Sequence, residues 1–466
     1  MPLQGGVVGL EFDRIEALRK TISGARNSAL YADRLPEVEL RSVEDLRALP
    51  LTTSADLQRA GLAGTRAAPL DRVCHYGETS GTSGGPTNST WLTAEDLHGN
   101  ARAIAARLPE VFSPGRILLN RFPFMSAPGH LMQLIAQQGH GVSIPAGNIN
   151  WDVPFPRALE LAVRTGAHVL AGFPVEPIIL SQLARNQGLD PAKDTAIDSF
   201  LIGGAPLPPV MQRRIERTWG ARVIEFYGST ETMLLGIACA ERTLHIESDI
   251  VHCEILDLDS EEPAAEGAVG RLVVTTLTIE GSPLVRFETG DVVRRLPPCR
   301  CGDERQGIVV LGRANDTVDL QGASFHSYEI IEGAAAAADA LDSSVFFTVV
   351  LPDRLLIRIE GGGGSGDPVG AAREHLGSVP IEIEQTEENA LLDVEHLSRN
   401  PSVYKPVLIS DWRRPGRQIL SVSQGMIEWP SLSGAEVWRL AKRTVRRTLR
   451  SRQLARALRV AKGPGH

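Results

Sequence analysis

Apolar positions near the start of the chain recur at helical spacing: Leu10, Ile15, Leu18 and Ile22 share one face. Ser42-Val43-Glu44-Asp45-Leu46 reads as a capping box opening a short helix. Residues 8–70 are therefore predicted to be helical and polar. From about 71 to 300, short apolar runs alternate with helical patterns. Strands are predicted at 117–119, 168–171, 199–202 and 223–226, and helices at 94–108 and 156–165. Such alternation predicts βα units in a layered, partly parallel sheet. Between 251 and 293 the pattern becomes short β runs with turns, 271–276 among them, which predicts an antiparallel subdomain.

A boundary is expected at Gly312-Arg313-Ala314-Asn315-Asp316. Beyond it lie β-rich stretches at 345–351 and 355–359, a flexible Gly361-Gly362-Gly363-Gly364-Ser365-Gly366 loop, a helix and a strand at 381–384. The fold class expected is α/β: a large N-terminal layered domain with a β subdomain over 1–312, and a small mobile α+β domain over 313–413. The extension 414–466 carries a strongly basic helix built on Val437, Ala441, Val445 and Leu449. No internal repeat is present.

Composition narrows the class. A chain of 466 residues is too long for one core. A net charge of −8 argues against general nucleic-acid binding. No apolar run approaches the roughly 18–20 residues that span a bilayer, and Met-Pro-Leu-Gln-Gly-Gly has neither the basic start nor the apolar stretch of a signal peptide. Five cysteines, an odd number in a long chain, imply a reducing compartment. A cytoplasmic location is the expectation.

Two distant segments carry chemistry. Thr79-Ser80-Gly81-Thr82-Ser83-Gly84-Gly85-Pro86-Thr87 is a run of hydroxyls and bare backbone N–H groups able to wrap phosphate oxygens. Glu225-Phe226-Tyr227-Gly228-Ser229-Thr230-Glu231 offers an aromatic face, hydroxyls and a carboxylate, a set suited to a nucleotide base and a magnesium ion.

In this order, the two segments make the chain resemble the phenylacetate–CoA ligase branch of the adenylate-forming superfamily, from about residue 8 to residue 413. Other segments extend the resemblance. The opening has Tyr31, the 42–50 segment, Thr52-Thr53 and Asp56-Leu57. Gly203-Gly204-Ala205-Pro206 is similar to the family's adenine-side turn. Arg286-Phe287-Glu288-Thr289-Gly290-Asp291 resembles the segment whose aspartate holds the ribose hydroxyls, and Gly312 to Asp316 resembles the hinge, centred on Asn315. The resemblance implies that Asp291 accepts hydrogen bonds from vicinal hydroxyls, that Arg313 reaches ribose or phosphate, and that Glu231 holds magnesium with Thr230 beside the phosphate. Tyr227 would face the adenine. Lys405 matches the late catalytic lysine, a mobile cation for charge developing during adenylation. Two departures stand out: Gly85 replaces a common lysine, and Asn315 replaces the usual hinge aspartate.

The branch often has cysteines and a histidine where this chain has Cys239, His245, Cys299 and Cys301, which implies a structural zinc site. Cys253 or His252 could replace one ligand, while Cys74 reads as an isolated core thiol. The acid pocket is expected between the sheet and the 203–231 strands. Phe122, Phe124 and Phe173 would give aromatic walls, and Arg121, Ser126 and His130 a polar edge, which suits an aryl acid; core packing is the alternative for the aromatics. The activity implied is a ligase that forms an acyl- or aryl-AMP from ATP and a carboxylic acid, releases pyrophosphate, and passes the acyl group to a thiol. Coenzyme A is the default acceptor, with a carrier-protein thiol or a nitrogen nucleophile such as an amine or nitrite as alternatives. A catalytically weak binding or regulatory homologue is the competing class. The basic tail reads as an amphipathic helix packed on its own protein, as a docking surface for an acyl carrier protein, or as a helix on an anionic membrane; a homodimer is a candidate assembly.

Overall fold

The computed structural model describes residues 7–79, 87–123, 127–147, 153–399, 402–403, 407–414, 418–425 and 427–428. The expectations at Ser80, Gly81, Thr82, Ser83, Gly84 and Gly85, at Phe124 and Ser126, at Lys405 and in the basic tail lie outside the described residues.

Five strands form the parallel part of the main sheet, in the spatial order Val142–Pro145, Ile117–Asn120, Val169–Gly172, Ser199–Ile202 and Arg222–Ser229. Val169–Gly172 and Ser199–Ile202 are buried at every position, as expected of strands covered on both faces. Helices Ala94–Arg107 and Ala127–Gln138 cover one face, and Phe155–Thr165, Glu176–Asn186 and Pro209–Trp219 the other. Local chemistry sets their ends. Thr93 and Asp96 form a capping box at the first of them. Pro156 and Pro209 occupy first-turn positions where no N–H is needed, and Gly166 and Gly220 terminate two helices in the left-handed conformation.

At Arg222–Ser229 the sheet changes character. Strands Met233–Ala238, Leu244–Ile246, Gly307–Arg313, Phe287–Arg295, Val269–Thr276 and Val251–Leu256 follow in that spatial order, all antiparallel, and complete one eleven-stranded sheet. Helix Val7–Ala25, the turns after it and the 43–60 segment pack on this antiparallel part through Leu18, Tyr31, Leu46 and Leu57. The capping box at Ser42 opens a 3₁₀ helix, Val43–Ala48.

Downstream of Arg313, a four-stranded sheet has the order Ile381–Thr386, Leu355–Glu360, Phe346–Val350 and Ile409–Asp411. Helix Ser327–Ala340 is buried on all sides, and its alanines allow close approach to the helices Pro209–Trp219 and Pro368–Leu376. Arg214 bonds Asp342 (2.6 Å) and Ser344 (2.9 Å) across this contact.

Two expectations are corrected. The 361–366 loop is anchored instead of flexible: Gly361, Gly364 and Gly366 N–H groups donate to Thr386, Leu341 and Ala340 carbonyls. Gly362 has φ +93°, and a Cβ there would lie 2.4 Å from the Leu341 oxygen, so glycine serves close packing here. Cys74 is exposed, because Val73–Glu78 pairs only with Ser89–Thr93 in a separate hairpin sheet and turns this thiol outward. No helix among the described residues is long and apolar enough to cross a membrane.

Candidate active site

The site forms where the parallel and antiparallel parts of the sheet meet. Tyr227, on Arg222–Ser229, donates its hydroxyl to Asp291 Oδ2 at 2.5 Å. Asp291 and Arg313 are direct cross-strand partners on Phe287–Arg295 and Gly307–Arg313, with Arg313 Nε 3.1 Å from Asp291 Oδ1. Arg313 Nη1 also donates to the Thr289 carbonyl at 2.6 Å. Three segments separated in sequence thus converge on one carboxylate. Burial, then the adjacent Asp291 charge, pushes the Tyr227 phenol well above its ordinary value, so it acts as a neutral donor. Arg286, at the start of the same motif, is not part of this group. It is fully buried, bonds Glu254 at 3.0 and 3.1 Å and the Leu49 carbonyl at 2.7 Å, and so ties the N-terminal segment to the sheet.

The Gly203-Gly204-Ala205-Pro206 turn lies over an aromatic cluster. Phe122 meets Phe173 and Phe226 edge-on, at centroid separations of 5.4 and 5.3 Å. A Cβ on Gly204, where φ is +79°, would come within 2.7 Å of the Phe173 ring, and one on Gly203 within 2.5 Å of the Phe226 oxygen. Phe122 and Phe173 are buried beneath the turn. Arg121 is buried as well: it pairs with buried Glu176 at 3.0 Å and donates to the Ala146 and Val153 carbonyls, tying the end of strand Val142–Pro145 to the starts of helices Phe155–Thr165 and Glu176–Asn186. His130 is half-buried and stacks parallel to His75 at 5.5 Å, and burial lowers the pKa of both imidazoles.

The phosphate-side groups close from two directions. Thr79 N–H donates to the Asn88 carbonyl at 3.0 Å, and Asn88 N–H to Thr79 Oγ1 at 2.9 Å. Glu231 accepts from Asn88 Nδ2 at 2.7 Å. Thr230 lies in the same turn as Glu231, between Arg222–Ser229 and Met233–Ala238, and Ser229 and Thr232 hydrogen-bond each other to shape it. Gly228 is required by this turn, since a Cβ would strike the Met233 carbonyl at 2.0 Å. Asn315 sits in the exposed 3₁₀ turn Ala314–Asp316, and Arg414 donates to the Asn315 and Thr317 carbonyls at 2.7 and 2.9 Å.

Reading the sequence missed two residues. Asn88 follows the phosphate loop directly, but an asparagine opening a strand carries no chemical signal. Glu225 was visible inside the aromatic motif without a role. It is the last residue of Arg222–Ser229 to pair with the parallel neighbour, opposite Ile202 and beside the Gly203 turn, and burial pushes its carboxyl up to about 8. The fold therefore binds a proton there that the unfolded chain, near 4.5, releases earlier. That stabilising contribution is complete below about pH 4.5 and lost as pH rises through about 8. Relative to Glu225→Gln, the thermal midpoint of the unsubstituted protein is expected to fall across that window. A pH-independent difference between the two proteins would rule this out.

Cys239, His245, Cys299 and Cys301 come together with all ligand atoms within 4.8 Å of one another. The Cys239 and Cys299 sulfurs are 3.8 Å apart, and Cys301 Sγ is 3.3 Å from His245 Nε2. His245 Nδ1 lies 2.9 Å from the Arg305 carbonyl, which can only accept, so the Nε2 lone pair faces the thiols. Backbone N–H donation from Cys301, with Thr243 beside it, holds the Cys299 thiol down to about 6, whereas burial pushes Cys239 up to about 11. Three sulfurs and one oriented imidazole fit a tetrahedral zinc ion. Cys253 and His252 lie outside this cluster, on Val251–Leu256.

Comparison with known proteins agrees with this architecture. The chain is 28% identical to the phenylacetate–coenzyme A ligase of Thermus thermophilus over 300 residues, covering 62% of this chain and 66% of that enzyme. It is 27% identical to the Escherichia coli phenylacetate–coenzyme A ligase over 304 residues, 63% of this chain and 67% of that one. The match thus spans about two thirds of the length of these relatives. The solved structure of 2-hydroxyisobutyryl-CoA ligase in its postadenylation state, with R3-HIB-AMP, superposes with a TM-score of 0.74 at 18% identity, covering 89% of this chain and 94% of that one, which establishes the shared fold. The AMP-binding enzyme family matches residues 28–279, more than half of the chain, and the protein belongs to that family.

Proposed function

We propose that the protein is an AMP-forming ligase that activates a carboxylic acid with ATP and then transfers the acyl group to the thiol of coenzyme A. The observation that supports this most directly is the Tyr227–Asp291–Arg313 group, in which one carboxylate is oriented by two donors from separate strands. A carboxylate oxygen of the acid attacks the α-phosphorus of ATP, the bond to pyrophosphate breaks, and the acyl-AMP forms. The thiol sulfur then attacks the acyl carbon and AMP leaves. Asp291 would accept from the ribose hydroxyls, Arg313 would face ribose or phosphate, and the Gly203–Pro206 turn would seat the adenine. Glu231 would hold a magnesium ion, whose charge offsets that of the phosphates. Lys405 is the proposed cation for the adenylation step, and residues after Asn315 are the proposed small domain that turns between the half-reactions.

The relatives' names support an aryl acid and coenzyme A as the pair. The test is pyrophosphate release from ATP with a panel of aryl and short hydroxy acids, followed by addition of coenzyme A. Acid-dependent pyrophosphate, then coenzyme A-dependent AMP and thioester, is the expected result. Absence of acid-dependent pyrophosphate would make the protein a binder. Pyrophosphate without thioester would move the acceptor to a carrier thiol or a nitrogen nucleophile.

A further inference from the structure

Asn88 stands where the two nucleotide motifs touch. Its backbone pairs with Thr79 at the entry to the phosphate loop, and its side chain reaches Glu231, 143 positions away. It is 7% exposed, so its amide must find partners within the protein. Nδ2 does so, at 2.7 Å from Glu231 Oε1 and 3.5 Å from Ser54 Oγ. Oδ1 does not: it is buried and accepts no hydrogen bond from the described residues. A buried carbonyl oxygen without a donor costs about 1–3 kcal/mol, and on an amide whose nitrogen already holds a carboxylate it is a hard neutral oxygen of the kind that divalent cations take as a ligand.

We propose that Asn88 is a cation-site residue: it orients the Glu231 carboxylate through Nδ2 and presents its own amide oxygen to the divalent cation that accompanies the nucleoside triphosphate. This rests on the reading of the site as an ATP site. The two roles alternate, because the amide's oxygen and nitrogen exchange places by rotation about one bond. Without a cation, Nδ2 faces Glu231. With one, the oxygen can turn toward the charge that Glu231 also faces. The position also bears on Gly85. Where no lysine side chain stands in the loop, more of the phosphate charge falls to the cation, and a second oxygen from the strand that closes the loop strengthens its hold.

The test uses full-length protein with Mn²⁺ as the probe, followed by electron paramagnetic resonance with and without ATP. Asn88→Val should weaken Mn²⁺ binding in the presence of ATP by about tenfold or more, the scale found when a group supporting a metal ligand is removed. Binding of metal-free ATP should change little, and Asn88→Asp, which restores an oxygen, should recover affinity. If Asn88→Val fails to fold, Asn88→Ala removes both amide atoms in a smaller volume and carries the same expectation. Unchanged Mn²⁺ affinity in a folded Asn88 variant, with acid-dependent pyrophosphate release intact in the unsubstituted protein, overturns the inference and leaves the ligase reading standing. No ATP-dependent Mn²⁺ binding by the unsubstituted protein overturns both.

Discussion

Asp291→Ala is expected to raise the dissociation constant for ATP by about 100-fold or more and to lower pyrophosphate formation in proportion. The reasoning is local. A carboxylate that accepts two hydroxyl donors contributes about 1.5–3 kcal/mol for each hydrogen bond to a charged group, and about 1.4 kcal/mol corresponds to a tenfold change. Little of the stability should come from the ion pair itself, because Arg313 is 53% exposed at its side chain. What Arg313 and Tyr227 contribute is orientation: they hold the Asp291 carboxylate in one place before ligand arrives. Asp291→Asn, which keeps the shape and loses the charge, should fall between the two. Isothermal titration with ATP and a pyrophosphate assay check both values, and an unchanged ATP affinity in Asp291→Ala would remove the ribose assignment.

The second large effect concerns metal. Purified protein should carry about one zinc per chain, bound by Cys239, His245, Cys299 and Cys301. Removing it with a chelator should lower the thermal midpoint, because metal binding to the folded state is itself folding free energy. The affected region is defined by the geometry: the cluster joins the turn after Met233–Ala238 to the turn before Gly307–Arg313. Cys299→Ser should lose zinc and stability together. Elemental analysis finding no zinc, or Cys299→Ser retaining it, would show that the cluster is a set of free thiols.

Four of the five parallel strands are legible in the sequence because each is a short apolar run between helical patterns: 199–202 keeps its bounds, 168–171 shifts by one residue, and 117–119 and 223–226 lengthen by one and four, while Val142–Pro145, the edge strand, was not read. The Tyr227, Asp291 and Arg313 positions were legible for a different reason, since each lies in a motif whose residue types suit a nucleotide. What could not be read was pairing. Nothing in the local sequence around Arg121 says that its partner is Glu176, 55 positions later, or that both are buried. Glu225 and Asn88 were hidden for the same reason: their significance comes from what surrounds them in space. The Gly361–Gly366 stretch misled because glycine serves flexibility and close packing equally well, and only the nearby Leu341 carbonyl decides between them.

The two hydrogen bonds from Arg414 to the carbonyls of Asn315 and Thr317 link the proposed hinge to the late segment. A peptide carbonyl cannot rotate away from a bound guanidinium without breaking that bond. Backbone torsion at the proposed hinge would therefore be coupled to the segment that carries Arg414. Lys405 lies a few positions upstream in that same stretch of sequence. If the proposed hinge turns at Asn315, the late segment would have to loosen these two contacts or carry them along, so hinge and late segment would move in concert.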